Sequence, residues 1–127
     1  MSEIRTFEDL ACWKKATDLR RAISKTIKMF PNDEKFELTS QMRRASRSIT
    51  HNIAEGYGRF HYKENAQFCR TSRGSAYELL DQILVAFDEN YIVKEEYEEL
   101  RLMIIECLKV LNGYINYLVK AENTNNH

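Results

Sequence analysis

Three arginines stand within five residues of one another near the middle of the chain. Arg43, Arg44 and Arg47 have no acidic residue at the neighbouring positions 41, 45, 48 and 50. The planar guanidinium group forms paired hydrogen bonds with phosphate and loses its hydration more readily than a lysine ammonium group. The pattern therefore indicates a phosphate-binding surface. Glu55 and other acidic residues lie further off and could pair with these arginines across the fold, which leaves a structural role open.

Basic residues on other segments extend this candidate surface. The nucleic-acid-binding residues that we predict are Lys14, Arg21, Lys25, Lys28, Arg43, Arg44, Arg47, Arg59, Arg70 and Arg73. Neighbouring aromatic and histidine side chains, such as His61 and Tyr77, could stack on unpaired bases. For the stripe on the first segment, the ordinary charged face of a solvated helix is the favoured explanation.

Catalytic and metal-binding patterns are weak by comparison. No histidine has an acidic residue three positions before it, and His51 with Glu55 forms a single pair where a di-metal bundle needs two. Cys12, Cys69 and Cys107 are odd in number and widely spaced, which predicts reduced thiols in a cytoplasmic protein. We expect no enzymatic activity, no metal and no cofactor.

Apolar residues recur at helical spacing over four segments, while only four glycines and one proline are present to form turns. Short connections make neighbouring helices reverse direction. The fold class predicted is an all-α, antiparallel up-down-up-down four-helix bundle. We expect one domain over residues 1–127, ordered over about 7–120, with a polar tail over 121–127. The predicted helices run over about 7–28, 39–57, 63–87 and 94–121.

Thr39 is predicted to cap the second helix, and Gly56 and Gly58 to end it through flexible or left-handed backbone. Small residues around Gly74 are expected to let another helix approach closely. On the fourth helix, Met103, Val110 and Tyr117 recur every seven residues away from the main apolar stripe. They indicate either scattered surface residues or an interface in a homo-oligomer.

The zero net charge conceals an uneven distribution. Residues 1–73 carry 15 Lys and Arg against 9 Asp and Glu, whereas residues 74–127 carry 4 against 10. Such asymmetry allows a polyanion to bind one surface of a neutral protein, and it also allows self-association between unlike surfaces. The N-terminus shows no secretory signal, and the longest aliphatic run, at 102–105, is too short for a membrane span, so no membrane partner is expected.

The second helix carries a combination of residues that resembles one bacterial family, the four-helix-bundle proteins encoded in intervening sequences of 23S rRNA genes. A relative is the accessory variability determinant protein of diversity-generating retroelements. The resembling blocks are Gln41-Met42-Arg43-Arg44-Ala45, Ser48-Ile49, Asn52-Ile53-Ala54-Glu55-Gly56 and Gly58-Arg59. Matches elsewhere are Leu10, Trp13, Ala16, Leu19, Phe30, Pro31, Glu34, Leu38, Phe68, Gly74, Ser75, Glu78 and Leu79. Ser72 departs from the family, which often places alanine there.

The resemblance implies a barrel-like homo-oligomer, a pentamer in known relatives, and it supplies no catalytic residues. It leaves two functions open. The first is a non-catalytic, RNA-binding oligomer. The alternative is a protein-interaction scaffold that docks a partner such as a retroelement reverse transcriptase. The matching Arg43, Arg44 and Arg59 could bind RNA, or pair with Glu55 or Glu78 to hold the bundle together.

Overall fold

Four long helices make up most of the protein in the computed structural model, which describes residues 6–125. They are α1 (Ala11–Ile27), α2 (Leu38–Tyr57), α3 (Tyr62–Asp88) and α4 (Lys94–Asn125). Two short 3₁₀ turns, Phe7–Asp9 and Asn32–Glu34, precede α1 and α2, and the described residues form no strand. The prediction of an all-helical chain with four helices is confirmed.

Each helix packs against two others and lies diagonally opposite the third. α1 contacts α2 and α4, while α3 contacts α2 and α4 from the opposite side. The apolar stripes predicted from the sequence meet in one core, because each helix turns its single apolar face inward. The core residues with the largest fully buried side chains include Leu19, Ile23, Met42, Ile49, Ile53, Leu79, Ile83, Ile104, Leu111 and Leu118.

The α2–α3 pair contains the tightest backbone approach. Gly56 is buried inside α2, where an added Cβ atom would lie 2.8 Å from Asn65 Oδ1 and 2.9 Å from Phe68 Cβ. Ser72 donates a 2.8 Å hydrogen bond to the carbonyl of Ile49. The expectation that Gly56 supplies left-handed backbone is wrong, because no described glycine has a positive φ and this one instead makes room for α3.

The helix ends differ from the prediction in two places. Thr39 is buried within α2 and does not cap it, while the Leu38 amide donates to Glu34 Oε1 at 3.4 Å. The first predicted helix is divided by extended backbone at Leu10, so that Thr6 caps the 3₁₀ turn and leaves α1 to begin at Ala11. A Cβ atom added to Gly74 would have no atom within 4 Å. The close approach of α3 to α2 is therefore made by its neighbour Ser72 and not by Gly74 itself.

The C-terminal helix is longer than predicted. Residues 121–125 of the expected polar tail continue α4, and the Thr124 hydroxyl donates to the Lys120 carbonyl at 3.0 Å; residues 126 and 127 lie outside the described part. Over Lys94–Thr124 this helix is long and apolar enough to cross a membrane, a test that a bundle's core helix also passes. The short aliphatic run at 102–105 did not predict this property of the whole helix, because Glu106 and Lys109 interrupt the apolar sequence.

A hydrogen bond joins the two loops at one end of the bundle. Tyr91, after α3, donates from Oη to Glu34 Oε2 at 2.6 Å, and its ring lies 5.3 Å from that of Phe30. This bond, more than desolvation, raises the pKa of Tyr91 to about 12, because the neutral phenol is the form that donates. The loops before α2 and before α4 are thereby tied together.

Three thiols that are far apart in sequence converge in the core. Burial, followed by the neighbouring Cys69 and Cys107 thiols, raises the pKa of Cys12 to about 12. Burial likewise raises the pKa of Cys69 to about 12 and that of Cys107 to about 11. All three are free cysteines, and they pack as small apolar side chains in their neutral form.

We expect the Gly56→Ala substitution to destabilise the protein by about 1–3 kcal/mol, because the new methyl group would force α2 away from α3. Urea unfolding followed by circular dichroism measures the change. Gly74→Ala and Gly113→Ala are matched controls within α3 and α4, where an added Cβ meets nothing within 4 Å. The free energy of unfolding of these controls should rise by up to about 1 kcal/mol, because alanine favours a helix more than glycine does. Equal stability of Gly56→Ala and wild type would contradict the close approach.

We also expect stability to fall as pH rises from about 9 towards 12. The folded state keeps protons on Cys12, Cys69 and Cys107 that the unfolded chain releases above pH 9, so alkali favours unfolding. The loss should be about 1–2 kcal/mol for each thiol by pH 10.5. Urea midpoints at several pH values measure it. A variant with all three cysteines replaced by alanine should show a flatter dependence, and an unchanged slope would contradict the assignment.

Candidate nucleic-acid interface

The seam between α1 and α2 is held by a side chain that sequence reasoning did not select. Arg20 is partly buried on α1 and donates from Nη1 to Thr50 Oγ1 on α2 at 2.9 Å. The Thr50 hydroxyl in turn donates to the carbonyl of Arg47 at 3.2 Å. The guanidinium group has five N–H donors, and the bond to Thr50 fixes one edge of it.

Four arginines line one groove beside this seam. We call it the arginine groove; it has a volume of about 160 Å³ and is formed by Arg20, Arg21, Ser24, Ile27, Arg43, Ser46 and Arg47. Helical spacing explains the convergence, since Arg43 and Arg47 are one turn apart on α2. Among residues 6–125, no carboxylate lines the groove. Within residues 6–124, none of its arginines forms an ion pair.

Aromatic side chains lie beside the arginine groove. A second recess of about 350 Å³ shares Arg20 and Arg47 with the groove, and we call it the aromatic recess. Its other lining residues are Phe7, Trp13, Thr50, His51 and Ala54. The Phe7 and Trp13 rings pack edge to face with centroids 5.4 Å apart. Sequence reasoning did not select Phe7 and Trp13 as binding residues, because only the packing of α1 on α2 brings them near Arg20 and Arg47.

Two of the predicted arginines, Arg59 and Arg73, have protein partners. Arg59 pairs with Glu55 at 3.4 Å and with Glu64 at 3.9 Å, and its guanidinium group lies 5.0 Å from the ring centroid of Phe68. Arg73 donates to Asn112 Oδ1 at 2.9 Å, which bridges α3 and α4. The sequence left open whether Arg59 pairs with Glu55, and the structure contains this ion pair.

The remaining arginines are separate from the arginine groove. Arg44 lies in the α2–α3 groove together with Glu78 and Gln82, although no ion pair between Arg44 and Glu78 is found among the described residues. Arg70 is exposed on α3, which is diagonally opposite α1. The predicted set is therefore not one surface, because its arginines alone lie on the α1–α2, α2–α3 and α3–α4 sides of the bundle.

The basic stripe of α1 is divided in the same way. Of its four residues only Arg21 joins the arginine groove, and Lys25 lines a groove with Glu96 and Glu99 of α4. Lys14 and Lys28 are exposed. The stripe on α1 therefore lies partly beside α2, through Arg21, and partly beside α4, through Lys25.

Two of the three predicted interface residues are not free surface residues. Met103 and Val110 are partly buried against the core, where Met103 lines the groove between α1 and α4. Tyr117 is 56 % exposed. The expectation that all three lie away from the core is wrong for Met103 and Val110, since the α4 stripe is wide enough to reach α1. Leu102 and Ile105, 60 % and 38 % exposed, are more accessible than the partly buried Met103 and Val110 of this helix.

A cavity of about 730 Å³ lies where α2 ends and α3 begins. It is lined mainly by apolar and aromatic side chains, among them Tyr57, Phe60, Tyr62, Tyr114 and Tyr117, and none of the described arginines lines it. Asn65 donates to Tyr114 Oη at 3.0 Å. Phe60 stands at the cavity with a positive φ of 59° and is 86 % exposed. This cavity is distinct from the candidate polyanion surface.

Metal binding has no structural counterpart in the part of the chain that was described. Over that part, no three His, Cys, Asp or Glu side chains are grouped so that they could hold a metal ion. Burial raises the pKa of each of the three core thiols, so they stay protonated at neutral pH.

The arrangement defines a four-helix bundle with a basic surface on one pair of helices. The model of the 23S rRNA-intervening sequence protein family matches residues 8–113, and the chain belongs to this family. A crystal structure at 1.70 Å of a protein of unknown function, from the S23 ribosomal protein family of Bacteroides thetaiotaomicron, has the same fold with a TM-score of 0.76. The two sequences are 23 % identical, and the match covers 83 % of this chain and 95 % of the other. No curated protein matches the chain.

Proposed function

We propose that this protein is a non-catalytic RNA-binding bundle whose α1–α2 surface takes the phosphate backbone. The observation that carries the proposal is the convergence of Arg20, Arg21, Arg43 and Arg47 in a groove that no carboxylate lines. Neighbouring cations repel one another, so this arrangement costs stability that a bound anion would restore. Guanidinium groups suit phosphate in particular, because their planar donors match its oxygens in pairs.

The charge distribution of the whole chain supports the same surface. The basic half of the sequence supplies α1 and α2, and the acidic half supplies most of α3 and all of α4. Because α1 is diagonally opposite α3, the two charges are segregated to different sides of the bundle. An electric field of this form attracts a polyanion to the α1–α2 side and repels it from the other.

RNA is the polyanion that we propose, since the description of the family refers to sequences intervening in 23S rRNA. A kinship with the retroelement accessory protein, with a reverse transcriptase as a further partner, stays a prediction. The neighbourhood of the gene tests it, because a reverse transcriptase gene beside this one would favour that branch.

We further infer that the bundle runs up-down-up-down and assembles into a barrel-like homo-oligomer, the pentamer that the family resemblance implies. The pairs Ile49–Ser72 and Gly56–Asn65 support opposite directions for α2 and α3, because later residues of one meet earlier residues of the other. Exposed apolar side chains on α4, especially Leu102, support a contact between copies.

For RNA binding, we expect the double variant Arg43→Gln, Arg47→Gln to lose about ten-fold or more in affinity for a structured RNA at ~50 mM salt. The slope of the logarithm of affinity against the logarithm of salt concentration should also become shallower by about 1.4–1.8, because two phosphate contacts are lost. Fluorescence anisotropy of a labelled RNA over a salt series measures both quantities.

The matched control for this variant is Arg44→Gln, Arg70→Gln, which removes the same charge from other faces of the bundle. It should retain most of the affinity. An equal loss in both variants would show a diffuse electrostatic effect and contradict a defined groove. No detectable binding by the wild-type protein at ~50 mM salt would overturn the proposed function itself.

For the assembly, light scattering at micromolar concentration should give about 75 kDa for a pentamer of 15.0 kDa chains. Leu102→Glu places a charge on the exposed apolar face of α4 and should shift the mass towards the monomer. Val93→Glu, at an equally exposed residue before α4, is the control that should not. A wild-type mass of about 15 kDa would contradict the oligomer.

A further inference from the structure

The arginine groove and the aromatic recess form one continuous surface. They share Arg20 and Arg47, which stand between the phosphate-binding side and the aromatic side. Trp13 precedes Arg20 by seven residues of α1, which places them about 10 Å apart along the helix axis. Guanidinium groups and an aromatic face are thus presented together to a single ligand.

We propose that this surface binds single-stranded RNA, with an unpaired base stacked in the aromatic recess and its neighbouring phosphates on the arginine groove. The inference rests on the proposed function and specifies the form of RNA that the same site takes. Base stacking on aromatic side chains combined with cationic contacts to the backbone is the general mode of single-strand binding.

The size and chemistry of the aromatic recess fit a base. Its volume of about 350 Å³ is at the lower end of the range for small organic ligands. Partly buried Trp13 and exposed His51 offer flat rings from α1 and α2, and the Ala54 methyl group adds an apolar contact. The buried Thr50 hydroxyl accepts from Arg20 and donates to the Arg47 carbonyl, so it holds the Arg20 side chain between the aromatic recess and the arginine groove.

The aromatic platform is held in position before any ligand arrives. Phe7 contacts the edge of Trp13 from the 3₁₀ turn, and the Thr6 side chain caps that turn by accepting from the Glu8 amide at 3.0 Å. Both rings also pack against the core. A platform that is already ordered loses little conformational entropy on binding, which favours affinity.

A duplex cannot use the aromatic recess in this way. Its bases are already stacked and paired, so phosphates, 2′-hydroxyl groups and base edges reach a protein surface, but the faces of its internal bases do not without strand opening. The arginine groove would still attract a duplex through its phosphates. The surface should therefore discriminate in favour of the single strand, and the discrimination should depend on Trp13.

The wild-type protein reports on this contact directly, because Trp13 is its sole tryptophan. We expect its fluorescence to be quenched by a single-stranded RNA of about 12 nucleotides, a length within the usual range for such sites. The matched duplex, inorganic polyphosphate and poly-glutamate should produce little quenching at concentrations that saturate binding. Polyphosphate tests for phosphate without a base, and poly-glutamate tests for an acidic protein partner.

Trp13→Leu should weaken single-strand binding by about five-fold to a hundred-fold, measured by anisotropy, and leave duplex binding unchanged. Tyr77→Leu, at an exposed aromatic residue on α3, is the control and should change neither. His51→Ala alters an exposed member of the recess, so it supplies the same comparison if Trp13→Leu does not fold.

The outcomes separate the stacking proposal from the proposed function. RNA binding that depends on Arg43 and Arg47 but leaves Trp13 fluorescence unchanged would overturn stacking alone. Equal quenching by single strand and duplex, or by poly-glutamate, would also overturn it. If no RNA binds to the wild-type protein at ~50 mM salt, the proposed function fails and the stacking proposal fails with it.

Discussion

The close contact of α2 with α3 is the constraint on which the rest of the structure depends. Gly56 admits the side chain of Asn65, and the Ser72 hydroxyl bonds to the Ile49 carbonyl, so α2 cannot rotate about its axis without losing these fits. That orientation decides where its polar residues go. Arg43 and Arg47 face α1, whereas Arg44, one residue along, faces α3 and Glu78. Packing in the core thereby determines which arginines can act together.

The arginine groove shows a local conflict that the bundle tolerates. Stability alone would favour acidic residues among clustered cations, and the chain places such pairs elsewhere, as at Arg59 with Glu55. The apolar core supplies the stability that the groove gives up, because burial is the dominant favourable contribution to folding. Sites that break a local rule in this way are commonly functional. Basic residues outnumber acidic ones over residues 1–73, which supply α1 and α2, and acidic residues outnumber basic ones over residues 74–127.

Much of the fold followed from the sequence, because its helical patterns were long and had few interruptions. The α2 bounds differ from the prediction by one residue at Leu38, and the buried stripe through Met42, Ile49 and Ile53 is the predicted one. Capping was less predictable. Thr39 has the residue type of an N-cap, but its position places it in the core, where its hydroxyl has no partner among the described residues. Tertiary burial there overrides local preference.

The candidate site was predictable only in its residue types. Charge counts along the chain determined that one half is basic, and spacing on α2 determined that Arg43 and Arg47 share a face. The pairing of α1 with α2 decided the rest: it added Arg20, placed Trp13 beside the arginines, and separated Arg59, Arg70 and Arg73 from them. The physical reason is that spacing specifies directions around one helix axis. The neighbour found in each direction depends on how four helices rotate to bury their apolar faces together.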